Sequence, residues 1–277
     1  MGRIGWGETL QEVVPLTTAR PCVPDAEEIT RAGAALEYQA PQAAIVWAAA
    51  RFGPRVALAS SFGLEDVALI DMMHRTAPGM RVFYLDTDLM FPETYRTRDR
   101  IRERYGIEPL AYRSMLDVAA QAAEEGERLW EREPGRCCRL RKVEPLRRAL
   151  AGMDAWVTGL RRDQSPTRAG IRVVEWDEVN ALVKVNPLAR WSLDAVWAYV
   201  RAHDVPFNPM HEHGFLSIGC WPCTRAVRPG EDPRAGRWPG QARTECGLHV
   251  AADGNGSAPD EAAADGVRMA AGGHPVE

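Results

Sequence analysis

The chain has 277 residues, enough for one large α/β domain or two small ones. Its 45% hydrophobic and 26% charged residues are ordinary globular composition, which excludes a mainly disordered or fibrous chain. With 34 Lys and Arg against 38 Asp and Glu the net charge is −4, so a general nucleic-acid coat is not expected and any anionic ligand must be met by local arginine clusters. No apolar run approaches the roughly 20 residues that span a bilayer, and MGRIGWGETLQEVVPL lacks the apolar core of a signal peptide. The expected setting is the cytoplasm, with no membrane partner.

In chain order, residues 1–23 are a mixed lead-in, followed by a single α/β domain expected over 24–250. Asp25 can cap a first helix, AEEITRAGAALEY, and a second, QAAIVWAAARF, stops at Gly53-Pro54. RVALAS reads as a buried strand, followed by the loop SSFGLED and the helical VALIDMMHR. RVFYLD is a second strand, ETYRTRDRIRERYG a charged helix, EPLAYR a third strand and LDVAAQAAEEG a helix. CCRLRKVEPLRRALAG reads as a helix that its internal proline could kink, and DAWVTGL as the fourth strand. This alternation predicts a mostly parallel sheet with helices on both faces. NPLARWSLDAVWAYVRAHD then reads as one helix with Ser192 as N-cap. A proline-rich segment follows, irregular yet holding three cysteines, which marks it as functional. Residues 251–277 are Ala/Gly/Asp-rich without aromatics and are expected to be a disordered tail.

Two loops suggest a ligand. Ser60, Ser61 and Gly63 lie between a strand and a helix, where hydroxyls, backbone N–H groups and the helix dipole suit an anion. The residues fit an ordinary capped turn equally well. Asp86, Thr87 and Asp88 fall at the same carboxyl edge of the sheet, where open parallel sheets bind ligands.

The six cysteines are Cys22, Cys137, Cys138, Cys220, Cys223 and Cys246. With no export signal and a chain long enough to build its own core, metal binding or thiol chemistry is favoured over a disulfide scaffold. Cys137-Cys138 and Cys220-x-x-Cys223 supply four thiolates, which would suit tetrahedral zinc or a [4Fe–4S] cluster. The adjacent pair tips the reading toward the cluster, because neighbouring thiolates diverge. Arg136, Arg139, Arg141 and Lys142 would offset their charge. Cys246 lies outside this set, in TECGLH, with Arg243 and His249 near it and a flap-like RAGRWPGQ upstream; nearby positive charge would favour a nucleophilic thiolate.

The segments SSFGLED, LDTDLMFPETY, CCRLRKVEPL, WVTGLRRDQSPTR, NPLARWSLDAVWAYV, IGCWPCTR and GRWPGQARTECGLH together resemble the assimilatory adenylyl-sulfate (APS) reductases, the iron–sulfur branch of the APS/PAPS reductase family. They cover most of residues 55–249. The resemblance implies an adenine-nucleotide α-hydrolase-like fold and reduction of adenosine 5′-phosphosulfate (APS) to sulfite and AMP. It implies one [4Fe–4S] cluster on Cys137, Cys138, Cys220 and Cys223, with Cys246 as nucleophile and a separate thioredoxin as reductant. It assigns Ser60, Ser61, Phe62 and Gly63 to a phosphate loop, and Leu85, Asp86 and Thr87 to a nucleotide loop. Arg161, Arg162, Asp163, Gln164, Ser165 and Arg168 fall in an arginine loop. Lys142, Arg234, Arg237 and His249 complete the substrate contacts. Two departures stand out: Asp88 occupies a position commonly glycine in that family, and a Trp-rich run is shortened to Trp238-Pro239. The alternatives are a PAPS reductase of the same mechanism, a tRNA thiolase, which SSFGLED does not suit, and a zinc-stabilised nucleotide-binding module. Whether the protein is a homo-oligomer is open.

Overall fold

The computed structural model describes residues 24–241 and 245–249. The expected lead-in and tail, together with Cys22 and Arg243, lie outside these residues. The elements run α1 (Ala26–Leu36), α2 (Pro41–Phe52), β1 (Val56–Ser60), α3 (Leu64–Thr76), β2 (Arg81–Asp86), α4 (Pro92–Tyr105), β3 (Leu110–Arg113), α5 (Val118–Glu125), α6 (Leu129–Arg132), α7 (Pro134–Cys138), α8 (Glu144–Leu150), β4 (Ala155–Val157), β5 (Val174–Asp177), β6 (Leu182–Val185) and α9 (Leu193–Ala202). The expected caps at Asp25 and Ser192 form, and Asp117 supplies a third. The Asp25 carboxylate accepts from Glu28 N–H, Asp117 from Ala120 and the Ser192 hydroxyl from Ala195.

The strand order is β3-β2-β1-β4-β6-β5. All neighbours are parallel except β5, which runs antiparallel to β6 at the edge. Side chains alternate between the two faces. Val56, Leu58, Val82, Tyr84, Ala155, Val157, Val183 and Val185 join the core formed with α1, α2, α3, α4 and α9. Ala57, Phe83, Trp156 and Leu182 face the other way and pack on Leu146, Ala149 and Leu150 of α8. Both faces are therefore covered, as the alternation predicts.

Three features differ from the sequence reading. The β5–β6 hairpin was not expected. Its turn is held by the Asp177 carboxylate, which accepts from Val179 N–H and Asn180 N–H. Of the helix expected from residue 186, only Leu193–Ala202 is α-helical, beginning after its Ser192 cap. Between α7 and α8 the chain does not break at Pro145. It passes through a π-helical segment, Arg139–Val143, and Pro145 falls in the first turn of α8. A proline ring crowds the carbonyl four residues earlier, here that of Arg141, and widening the turn relieves it.

Asp71 of α3 ties three helices together. It is 1% exposed and accepts from Arg75, Tyr105 of α4 and Tyr199 of α9. Burial alone would raise its pKa, but these donors outweigh burial and hold it below the ordinary value. Asp71→Ala, which leaves two tyrosine hydroxyls without their acceptor, is expected to cost about 3–5 kcal/mol in denaturant unfolding. Because the folded pKa is depressed, the wild-type contribution is complete above about pH 4 and is lost as pH falls through the folded value. The stability gap between variant and wild type should therefore narrow in acid.

Candidate active site

β1 pairs with β2 on one side and β4 on the other, so successive connections leave in opposite directions and open a crevice at the strands' carboxyl ends. Ser60 ends β1 and Ser61 follows it, Leu85 is the penultimate residue of β2 and Thr87 lies just beyond the strand, and Thr158 and Gly159 follow β4. All six line one cavity of about 300 Å³. Gly159 permits a close approach, since a Cβ there would collide with the Asp66 carboxylate and lie 2.9 Å from Glu65 Cβ.

The SSFGLED loop is tightly self-bonded. Ser61 donates from its N–H and its hydroxyl to Asp66, at 2.6 and 2.7 Å. Phe62 N–H donates to Ser60 Oγ and Gly63 N–H to Ser61 Oγ. The anion this loop holds is thus its own Asp66, whose carboxyl burial pushes up to about 6. Phe62 takes a positive φ of 56°, unusual for a bulky residue, while its ring is locked in the core against Tyr84.

Positive charge gathers at the other end. Arg168 and Arg234 both donate to Glu245, at 2.9 and 3.2 Å. Arg237 stacks on Trp238 at 4.6 Å and donates to Ser217 Oγ at 3.2 Å. Arg161 bonds Glu65 and Asp163, and Gln164 bonds Glu65. Cys246 sits among these groups, lining the cavity with Lys142, Arg234 and Arg237. Burial would raise its thiol, but Lys142 and Arg237 outweigh burial and hold it below the ordinary value. Next to it Leu248 packs on the α8-side core, and His249 stacks on Trp156 at 5.3 Å. Burial, reinforced by Lys184, Arg168 and Arg234, keeps His249 neutral by lowering its pKa well below the ordinary value.

The remaining described cysteines line a second, small pocket. Cys137 and Cys138 at the end of α7 meet Cys220 and Cys223 there, with Trp130, Arg141, Lys142 and Trp238. None of these four cysteines is joined in a disulfide among the described residues. Burial, with the neighbouring sulfurs, pushes Cys137 up to about 12 and Cys223 up to about 11. Cys137 and Cys223 are therefore unfavourable as bare thiolates, and a cationic centre would offset them. Among the described residues no group of His, Cys, Asp or Glu is arranged as ligands of one metal ion. Four cysteines around one pocket are the donor set that a four-thiolate centre takes.

The C-x-x-C turn is held against β2's loop: Trp221 N–H donates to Leu89 O at 2.8 Å, and Thr87 Oγ1 lies 3.3 Å from Cys220 Sγ. The π segment sends Arg141 and Lys142 to different tasks. Arg141, 1% exposed, donates to Thr87 O and Asp88 Oδ2. Lys142 lines both cavities. Burial disfavours its ammonium, yet the sulfurs of Cys220, Cys246 and Cys138 outweigh burial and raise its pKa. Asp88 adopts φ 55°, the left-handed backbone that suits glycine and that aspartate tolerates, and its carboxylate is pinned by Arg141. Trp238, the remnant of the shortened Trp run, is 2% exposed against the cysteine pocket.

Of the expected substrate contacts, Ser60, Ser61, Gly63, Leu85, Thr87, Lys142, Arg161, Asp163, Gln164, Arg168, Arg234, Arg237 and His249 line the main cavity. Phe62, Asp86, Arg162 and Ser165 do not. Phe62 is core. Asp86 is fully buried and bonded by Tyr95 and Arg113. Arg162 pairs with Glu37 at 2.6 Å, and Ser165 shares a hydrogen bond with Thr167. Sequence reasoning missed Glu65, Asp66, Thr158, Gly159, His211 and Glu245, which also line the cavity. Glu65, Asp66, Thr158, Gly159 and Glu245 lie inside the quoted motifs; nothing local marks His211.

The phosphoadenosine phosphosulfate reductase domain model matches residues 55–226. A phosphoadenosine 5′-phosphosulfate reductase of Gloeobacter violaceus is 49% identical over 77% of this chain and 90% of its own length. Adenosine 5′-phosphosulfate reductase 1 of Bacillus subtilis is 45% identical over 76% of this chain and 91% of its own. Among solved structures, the phosphate complex of a phosphoadenylyl-sulfate (PAPS) reductase from Candida auris aligns with TM-score 0.66 and 30% identity, over 74% of this chain and 98% of that one.

Proposed function

The chain belongs to the phosphoadenosine phosphosulfate reductase family, and from that membership we propose that it reduces adenosine 5′-phosphosulfate to sulfite and AMP in assimilatory sulfate reduction. The observation that carries the reading is the meeting of Cys246 with Lys142 and Arg237 in a cavity walled by the loops after β1, β2 and β4.

The Cys246 thiolate attacks the sulfur of the phosphosulfate. An S–S bond forms, the sulfur–oxygen bond to phosphate breaks, and AMP leaves with the electron pair. Lys142, Arg234 and Arg237 stabilise the anionic group under attack and the charge that gathers on AMP. The S-sulfocysteine at Cys246 is then attacked at Sγ by one thiol of a thioredoxin, releasing sulfite and leaving a mixed disulfide. The second thiol resolves it. Two electrons from the dithiol thus reduce the sulfur, and Cys246 returns as a thiolate. Use of a dithiol protein suits the reducing cytoplasm.

Cys137, Cys138, Cys220 and Cys223 would hold one [4Fe–4S] cluster. When bound it supplies a charged centre beside Lys142, and no electron need pass through it. The gathering of these four cysteines around one pocket supports this assignment.

A second reading, with 3′-phosphorylated APS as substrate, is favoured by the names of the relatives from Gloeobacter violaceus and Candida auris. Sulfite release from each nucleotide with thioredoxin separates the two. The expected result is the higher kcat/KM with APS; a higher value with PAPS would replace the first reading by the second, and turnover of neither would remove both.

A further inference from the structure

His211 lines the cavity but has no part in the chemistry above. It lies in the helical turn Pro209–His213 and is 8% exposed. Its Nδ1 is 2.9 Å from the carbonyl oxygen of Phe215. A carbonyl can only accept, so Nδ1 carries the proton and Nε2 presents a lone pair. That Nε2 is buried and meets no hydrogen-bond partner among the described residues. Burial lowers the ring's pKa, which keeps Nε2 an acceptor near neutral pH. The Trp197 ring, perpendicular to the imidazole with centroids 6.2 Å apart, and the Phe215 bond fix the orientation.

A buried acceptor of this kind asks for a donor from the ligand. The phosphosulfate group cannot provide one, because its oxygens are deprotonated and only accept. Glu65, whose charge acts on the ring, also disfavours an anion there, whereas Lys142 and Arg237 attend Cys246. We propose that His211 Nε2 accepts a hydrogen bond from an N–H or O–H donor of the nucleoside part of the bound nucleotide. The proposal rests on the nucleotide reading of the cavity and names a side chain that reads the nucleoside. The donors available on adenosine are the adenine amino group and the ribose hydroxyls.

The test measures AMP binding by calorimetry to the full-length protein, without turnover, for wild type, His211→Asn and His211→Phe. Asparagine can keep an N–H donor toward the Phe215 carbonyl while offering no acceptor at the Nε2 position, so it stands if the phenylalanine variant folds poorly. Loss of the acceptor is expected to weaken AMP about tenfold. The titrations are repeated with 2′-deoxy-AMP, 3′-deoxy-AMP and purine riboside 5′-monophosphate. One of these should bind wild type about tenfold more weakly than AMP does and be indifferent to His211→Asn, which identifies the donor. Unchanged AMP affinity in His211→Asn overturns the proposal, as does equal weakening of all four nucleotides, which would mean a change of cavity shape. Absence of AMP binding to wild type overturns the nucleotide reading itself.

Discussion

Cys246→Ser is expected to abolish release of both AMP and sulfite from APS, lowering turnover by about 10⁴-fold or more. A serine hydroxyl stays protonated near neutral pH, so the help that Lys142 and Arg237 give a thiolate is lost on it. The cavity walls remain, with the loops after β1, β2 and β4 and the arginines that bond Glu65 and Glu245 untouched. AMP affinity should therefore persist. Cys246 is not among the four cysteines of the second pocket, so the variant should also keep wild-type colour and iron content. Wild-type protein given APS without reductant should release at most one AMP per site and carry a sulfonate mass on the Cys246 peptide. Near-normal turnover of Cys246→Ser, or the mass on Cys22, would sink the assignment.

The second large effect concerns the four-cysteine pocket. Anaerobically purified protein is expected to contain about four iron and four acid-labile sulfide per chain. Replacing Cys137, Cys138, Cys220 or Cys223 singly by serine should remove visible absorbance, iron and activity together. The thermal midpoint should fall too, because the centre would clamp the α7 end to the C-x-x-C turn, more than 80 residues apart in sequence. Stoichiometric zinc without sulfide would overturn the cluster and restore the zinc reading. A ligand variant that keeps its iron would remove that cysteine from the set.

The features legible in the residues alone are local. Asp25, Ser192 and the Gly53-Pro54 stop mark helix ends because caps and breakers act within a turn or two of the chain. The alternation of Leu58 and Val157 with Ala57 and Trp156 reflects a strand buried on both faces, which strand and helix order alone foretell. The motifs around Ser60, Cys137 and Cys246 carry the resemblance to the reductase family, and the family model and the relatives bear that membership out. The β5–β6 hairpin escaped because its strands are four residues each and the antiparallel edge has no signature in the strand–helix alternation. Long-range packing settles which motif residues line the cavity. Asp86 and Arg162 were spent on Arg113 and Glu37, partners 27 and 125 residues away, since a buried or half-buried charge must be paired wherever the fold brings a counter-charge. His211 and Glu245 became cavity residues by the same long-range packing. Asp88 shows the two levels meeting: its residue type tolerates a left-handed turn, but the reason it stays there is Arg141, delivered 53 residues later by a π-helical turn that sequence periodicity does not announce.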